Sequence, residues 1–130
     1  MSTASFWPIR VYYEDTDASA VAYHANYLRW FERARTEWLR GRGYSQETLR
    51  VDAGVAFTVS TVEIEYRKPA RLDDELEVRT QVVELRRASL IFEQQLRRRG
   101  SDELLTTARV RVACVDAATF RPKGMPDGLL

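Results

Sequence analysis

The 130-residue chain, 45% hydrophobic and 30% charged, is long enough for one hydrophobic core and too apolar to remain disordered. Its net charge of +1 gives no global field to gather nucleic acid or an anionic membrane, so an anionic partner must be held by a local cluster. The single cysteine, Cys114, excludes an internal disulfide and fits a reducing compartment.

The opening MSTASFWPIR has neither the basic n-region nor the apolar run of a secretory signal, and no apolar run approaches the ~20 residues that span a bilayer. The expectation is a cytoplasmic protein with no membrane span, folded as one domain over residues 1–130. Only the ends, 1–5 and about 121–130, read as loosely held.

WPIRVYYE, residues 7–14, alternates Ile9, Val11 and Tyr13 against Pro8, Arg10, Tyr12 and Glu14, which predicts a strand. EDTDASAVAYHANY follows, residues 14–27, placing the only histidine after three carboxylates and ahead of an aromatic run. In NYLRWFERARTEWLRGRG the apolar Tyr27, Trp30, Phe31, Ala34 and Trp38 fall at helical spacing, and Gly41 and Gly43 supply the stop. A helix from about 25 to 40 would be roughly 23 Å long. The segment 44–54 predicts a short second helix or helical turn capped by Ser45.

The remainder predicts strands. In VAFTVSTVEIEYRKP the apolar parity slips from Val55, Phe57 and Val59 to Val62, Ile64 and Tyr66, which predicts a bulge near Ser60–Thr61. Pro69 ends that strand and LDDE makes a turn. ELEVRTQVVEL, SLIFEQQLRRR and ELLTTARVRVACV are separated by short polar turns at 86–88 and 100–102, so they should pair antiparallel. The expected architecture is α+β, one helix packed on an antiparallel sheet.

The chain carries no G-x-S-x-G elbow, P-loop, dinucleotide fingerprint or cysteine pair, and one histidine with one cysteine cannot build a His- or Cys-rich zinc site. Cys114, in a Val/Ala-rich strand, reads as a buried inert thiol. That leaves the carboxylates ahead of the helix. Asp15 and Asp17 precede a helix N-terminus, an anion-binding end, where a carboxylate can act as nucleophile or general base while free amides hold an oxyanion. Helix capping is the commoner use of such residues and stays open on spacing alone, although Asp17 lies about eight residues ahead of the helix, far for a simple cap. His24 is a general acid, a hydrogen-bond orienter, or a residue whose backbone N–H matters. Tyr12, Tyr13 and Tyr23 read first as packing residues, with Tyr13 also placed to orient a carboxylate. The cations at 67–68, 86–87 and 97–99 are solvated strand ends or holders of substrate phosphates.

Taken together, RVYYEDTDASAVAYHANYLRWFERARTEWL, VEIEYRKPARLDDELEV and RVACVD resemble the hotdog-fold acyl-CoA thioesterases of the 4-hydroxybenzoyl-CoA thioesterase family, and within it the YbgC group associated with the Tol–Pal system. The likeness runs from about Trp7 to Pro122, with Y-Y-E-D-T-D-A and V-x-Y-H-x-x-Y its specific part. The resemblance implies one long central helix wrapped by a curved antiparallel sheet of about five strands. It implies hydrolysis of acyl-CoA, with acyl carrier protein as another thioester donor, and no metal or redox cofactor. It also implies a homodimer or homotetramer with its sites at the dimer interface. By the same resemblance Asp17 is the catalytic carboxylate, Tyr13 and His24 belong to the active site, and the amide of His24 polarises the thioester carbonyl.

One departure stands out. Where the YbgC group reads D-A-G-G, this chain has Asp17-Ala18-Ser19-Ala20, without easy access to positive φ and with two added side chains. That departure raises the alternative of a non-hydrolytic acyl-CoA-binding or envelope-assembly protein.

Overall fold

The computed structural model describes residues 4–126 and 129. In chain order it contains β1 (Ser5–Arg10), a 3-10 turn (Tyr13–Asp15), α1 (His24–Gly41), α2 (Gln46–Thr48) running into a π-helical turn (Leu49–Ala53), then β2 (Val55–Tyr66), β3 (Glu75–Leu85), β4 (Ser89–Arg98) and β5 (Leu104–Asp116). The strands form one antiparallel five-stranded sheet in the order β1-β3-β4-β5-β2. The α+β class and the strand count are those expected.

Two expectations need correction. The strand predicted over 7–14 is Ser5–Arg10, because Tyr13–Asp15 coils into a 3-10 turn whose Asp15 carboxylate takes the Tyr12 N–H at 2.9 Å. The helical part is also not one long helix alone. Arg42 and Gly43, the latter at φ 87°, break the chain after α1, and Ser45 restarts it by accepting the Thr48 N–H at 3.1 Å. Short helices therefore stand between α1 and β2, where the Ser45 pattern predicted a helical turn.

The helical spacing of the apolar residues sets what α1 buries. Tyr27, Trp30, Phe31, Ala34, Trp38 and Leu39 lie in the core, while Leu28, Arg29, Glu32 and Arg33 leave an open face. Trp38 meets Phe92 of β4 edge to face at 5.2 Å, and Tyr27 meets Tyr66 of β2 at 5.2 Å. The core also holds a polar link. Gln94, fully buried, donates to the Phe31 carbonyl at 2.9 Å and to Thr80 Oγ1 at 3.0 Å, and accepts from Arg35 at 3.0 Å. A buried amide so satisfied fixes how α1 sits on the sheet.

The parity slip in β2 is a register shift between Val59 and Thr61 against β5, so Val59, Val62, Ile64 and Tyr66 all oppose inward-facing residues of β5. β2 lies at one edge of the sheet and leaves Val59, Val62 and Tyr66 partly exposed. Among the described residues no helix is long and apolar enough to cross a membrane.

Candidate active site

The site is a backbone device built between β1 and α1. The Asp17 N–H donates to the Val21 carbonyl at 3.1 Å, and the Ala20 N–H donates to the Asp17 carbonyl at 3.1 Å. Thr16 bridges Ala22 antiparallel, so residues 16–22 make a small hairpin. Asp17 Oδ1 closes its tip by accepting the Ser19 N–H at 2.8 Å, an Asx turn. Ala20 sits at φ 61°, in the left-handed region. The turn thus keeps a conformation suited to glycine although the residue is alanine, a strained arrangement of a kind that clusters at functional sites.

The same hairpin delivers the helix. The Tyr23 N–H donates to the Asp15 carbonyl at 2.9 Å, and the buried Asn26 side chain donates to that same carbonyl at 2.8 Å. These two bonds hold the first turn of α1 beside the 3-10 turn, with His24 as the first helical residue. The Asn26 N–H is spent on the Tyr23 carbonyl at 2.9 Å, whereas among the described residues the N–H groups of His24 and Ala25 meet no acceptor. Open amides at the start of an 18-residue helix form an anion-binding end.

The opposite side of the hairpin is tied to the segment ahead of β3. Val21 bridges Arg71, the Ala22 N–H donates to the Ala70 carbonyl at 2.8 Å, and the Leu72 N–H donates to the Ala20 carbonyl at 3.2 Å. Ala70 is fully buried, and its own N–H donates to the hydroxyl of buried Tyr27 at 3.0 Å. The quoted P-A-R-L-D-D stretch therefore braces the acidic one. Its Asp74 accepts the Arg71 N–H at 2.8 Å and pairs with Arg98. Burial pulls the Arg98 guanidinium down, but the bonds and charges of Asp74 and then Glu103 outweigh it and raise its pKa.

The three residues singled out by sequence share this junction but are not joined to one another. Asp17, Tyr13 and His24 are all exposed, Tyr13 by 82%, and among the described residues no hydrogen bond links their side chains. The Tyr13 ring does not orient a carboxylate within this chain; its carbonyl instead accepts the Thr16 N–H and hydroxyl at 3.1 and 2.7 Å. The His24 imidazole lies on the Tyr66 ring at 4.8 Å, with Tyr27 at 6.3 Å. Asp15 turns its carboxylate to the Tyr12 N–H, a cap, while Asp17 presents its own at the hairpin tip.

Sequence reasoning missed two residues here. Asn26, the third residue of α1, reaches back with its amide to the Asp15 carbonyl eleven residues earlier, a contact that residue type and spacing do not announce. Tyr66 read as an inward strand residue, and only the sheet register brings it against His24. Burial, and then the neighbouring Tyr27, raise the Tyr66 phenol pKa.

Elsewhere the chemistry is quiet. Cys114 is buried, and burial raises its thiol pKa against the opposing charge of Lys123. Among the described residues no group of three or more His, Cys, Asp or Glu could hold a metal ion. Most strand-end cations have acidic partners, including Arg67 with Glu65 at 3.4 Å, Lys68 with Glu103 at 3.7 Å and Arg86 with Glu84 at 2.8 Å.

Known proteins resemble this chain in sequence and in fold. The sequence profile of the thioesterase-like superfamily matches residues 11–130. The acyl-CoA thioester hydrolase YbgC of Escherichia coli O6:H1 is 46% identical over 131 aligned residues, covering 100% of this chain and 96% of the relative. The acyl-CoA thioesterase YbgC of Haemophilus influenzae is 49% identical over 92% of this chain and 87% of its own length. The crystal structure of a probable thioesterase from Bartonella henselae superposes with a TM-score of 0.88 at 33% identity, over 95% of this chain and 100% of that one. By sequence and by fold, this chain belongs to the thioesterase-like superfamily.

Proposed function

We propose that this chain hydrolyses acyl-CoA thioesters to a free acid and a thiol, as its YbgC relatives are named for doing. One observation carries the reading: a single hairpin presents the Asp17 carboxylate at its tip and leads directly into the open N-terminus of α1. Asp17 attacks the thioester carbonyl or activates water, and the His24 amide takes the oxyanion at the helix end. Tyr13 and the His24 imidazole line the same site. The 18-residue α1 laid on a five-stranded sheet supports a hotdog reading of the architecture, with residues 1–130 as one domain working in the cytoplasm. The exposed β2 edge supports a homodimer joined through that edge, with a homotetramer as a further level of assembly.

The Ser19–Ala20 departure prompted the non-hydrolytic alternative, but Ala20 takes positive φ and the turn closes. Relatives named as hydrolases do not favour that alternative either. The test is release of free thiol from a panel of acyl-CoAs and an acyl carrier protein thioester, read with a thiol reagent. Catalytic release with at least one donor is expected. No release from any of them overturns the proposal.

A further inference from the structure

We propose that Arg71 is the cation that holds the phosphate of the phosphopantetheine arm, and so governs how strongly the enzyme binds its thioester donor. This rests on the thioesterase reading and extends it to recognition of the thiol half.

Arg71 is coupled to the reactive turn through the backbone. Asp17 lies across from Val21, and Val21 bridges Arg71, so two strand spacings, about 10 Å, separate the Asp17 and Arg71 backbones. The long arginine side chain then extends the reach. A phosphopantetheine phosphate stands a full arm's length from the reacting carbonyl, so its cation belongs beside the turn and not on it. The mounting is also rigid: Asp74 accepts the Arg71 N–H while pairing with Arg98, which in turn donates to the Pro69 carbonyl at 3.2 Å.

Charge pairing singles out Arg71 among the cations at this end of the sheet. Arg10 pairs with Glu75, Arg67 with Glu65, Lys68 with Glu103, and Arg98 with both Asp74 and Glu103. Among the described residues the exposed Arg71 side chain has no partner. Among the described residues Arg97 and Arg99 are also free of an acid, but Arg97 spends its guanidinium on Gln95 Oε1 at 3.1 Å, and the Arg99 N–H donates to the Glu75 carbonyl at 2.8 Å, placing it outside the bridge to the hairpin. A guanidinium with five unspent donors matches a phosphate group's oxygens. CoA and a carrier protein share this phosphate, and CoA adds others.

The experiment compares wild type, Arg71→Gln and Arg71→Lys on three donors with one acyl group: acyl-CoA, S-acyl-4′-phosphopantetheine and S-acyl-pantetheine. Arg50→Gln is the control, removing equal charge on the exposed turn ahead of β2. Arg71→Gln is expected to raise KM about tenfold for both phosphorylated donors and no more than about twofold for acyl-pantetheine, with kcat held within about twofold. Arg71→Lys should recover part of the loss, and Arg50→Gln should track wild type. An effect confined to acyl-CoA would assign Arg71 to a phosphate beyond the arm and overturn the proposal. So would an equal rise in KM for all three donors, or no rise for any. Thermal melting and sedimentation of each variant identify a folding or assembly defect; if Arg71→Gln shows one, Arg71→Lys decides by the same KM pattern. Absence of hydrolysis by wild type on all donors would instead fault the thioesterase reading.

Discussion

Asp17→Asn and Asp15→Asn separate two aspartates that composition cannot tell apart. Asn at position 17 keeps the oxygen that accepts the Ser19 N–H at 2.8 Å, so the hairpin tip stays closed while charge and basicity disappear. Without a nucleophile or base, kcat should fall at least ~100-fold, about 2.7 kcal/mol of transition-state stabilisation. The residue is exposed and its turn bond survives, so stability should stay within about 0.5 kcal/mol of wild type. Asp15 is different, since its carboxylate caps the 3-10 turn through the Tyr12 N–H at 2.9 Å. Exchanging that charge-assisted bond for a neutral one costs at most about 1 kcal/mol. For a chain of this size the melting temperature should drop by no more than about 3–5 °C, with most of the rate kept. The assay is kcat from thiol release at saturating acyl-CoA, with thermal melting of the same preparations. Loss of hydrolysis in Asp15→Asn but not in Asp17→Asn would refute the assignment.

Four further outcomes follow from the geometry. Ala20→Gly relieves about 1–2 kcal/mol of left-handed strain and gives back about 0.4–1 kcal/mol through the freer unfolded chain, so the melting temperature should rise; a fall would show that Ala20 is not strained. His24→Ala keeps the helix-end amide and should lower kcat about tenfold, between a purely backbone role and the ~10²-fold or greater loss of a missing acid or base; full wild-type activity would exclude any side-chain role. Tyr66→Phe should hold His24 in place and keep most of the rate while Tyr66→Ala does not, and equal losses in the two would assign the effect to the hydroxyl instead of the ring. Sedimentation at micromolar concentration should show a dimer or tetramer, and a clean 15 kDa species would contradict assembly through β2.

The fold was legible where a periodicity was long. The 3.6-residue spacing of Tyr27, Trp30, Phe31, Ala34 and Trp38 marked the buried face of α1, and the slip after Val59 marked the bulge in β2. The end of β1 was not legible, because alternation continued through Tyr13 while one side-chain bond, Asp15 to the Tyr12 N–H, coiled the chain out of the sheet. Of the candidate site, the acidic stretch and helix start could be read from residue types. Tyr66 could not, since its place beside His24 depends on pairing with β5, and a strand partner many residues away leaves no local signature. Nor could the bracing by Ala70 and Arg71, which arises from isolated bridges and not from a continuous ladder.

The exposure of the site bears on how its chemistry works. Asp17, Tyr13 and His24 all face solvent in the single chain, and a carboxylate in water is a poor nucleophile toward a thioester. Amide donors and charges act most strongly on a developing oxyanion where water is excluded. β2 lies at the sheet edge with Val59, Val62 and Tyr66 partly exposed, and Tyr66 is the ring on which His24 rests. Joining two chains along β2 would cover that edge and bring the second chain toward the His24 end of α1. One surface would then serve both ends, with burial of the strand edge stabilising the proposed dimer and desolvation of the helix end strengthening the hold on the oxyanion. If the proposed dimer forms through β2, the chemistry would be divided between two subunits and assembly would form part of the catalytic apparatus.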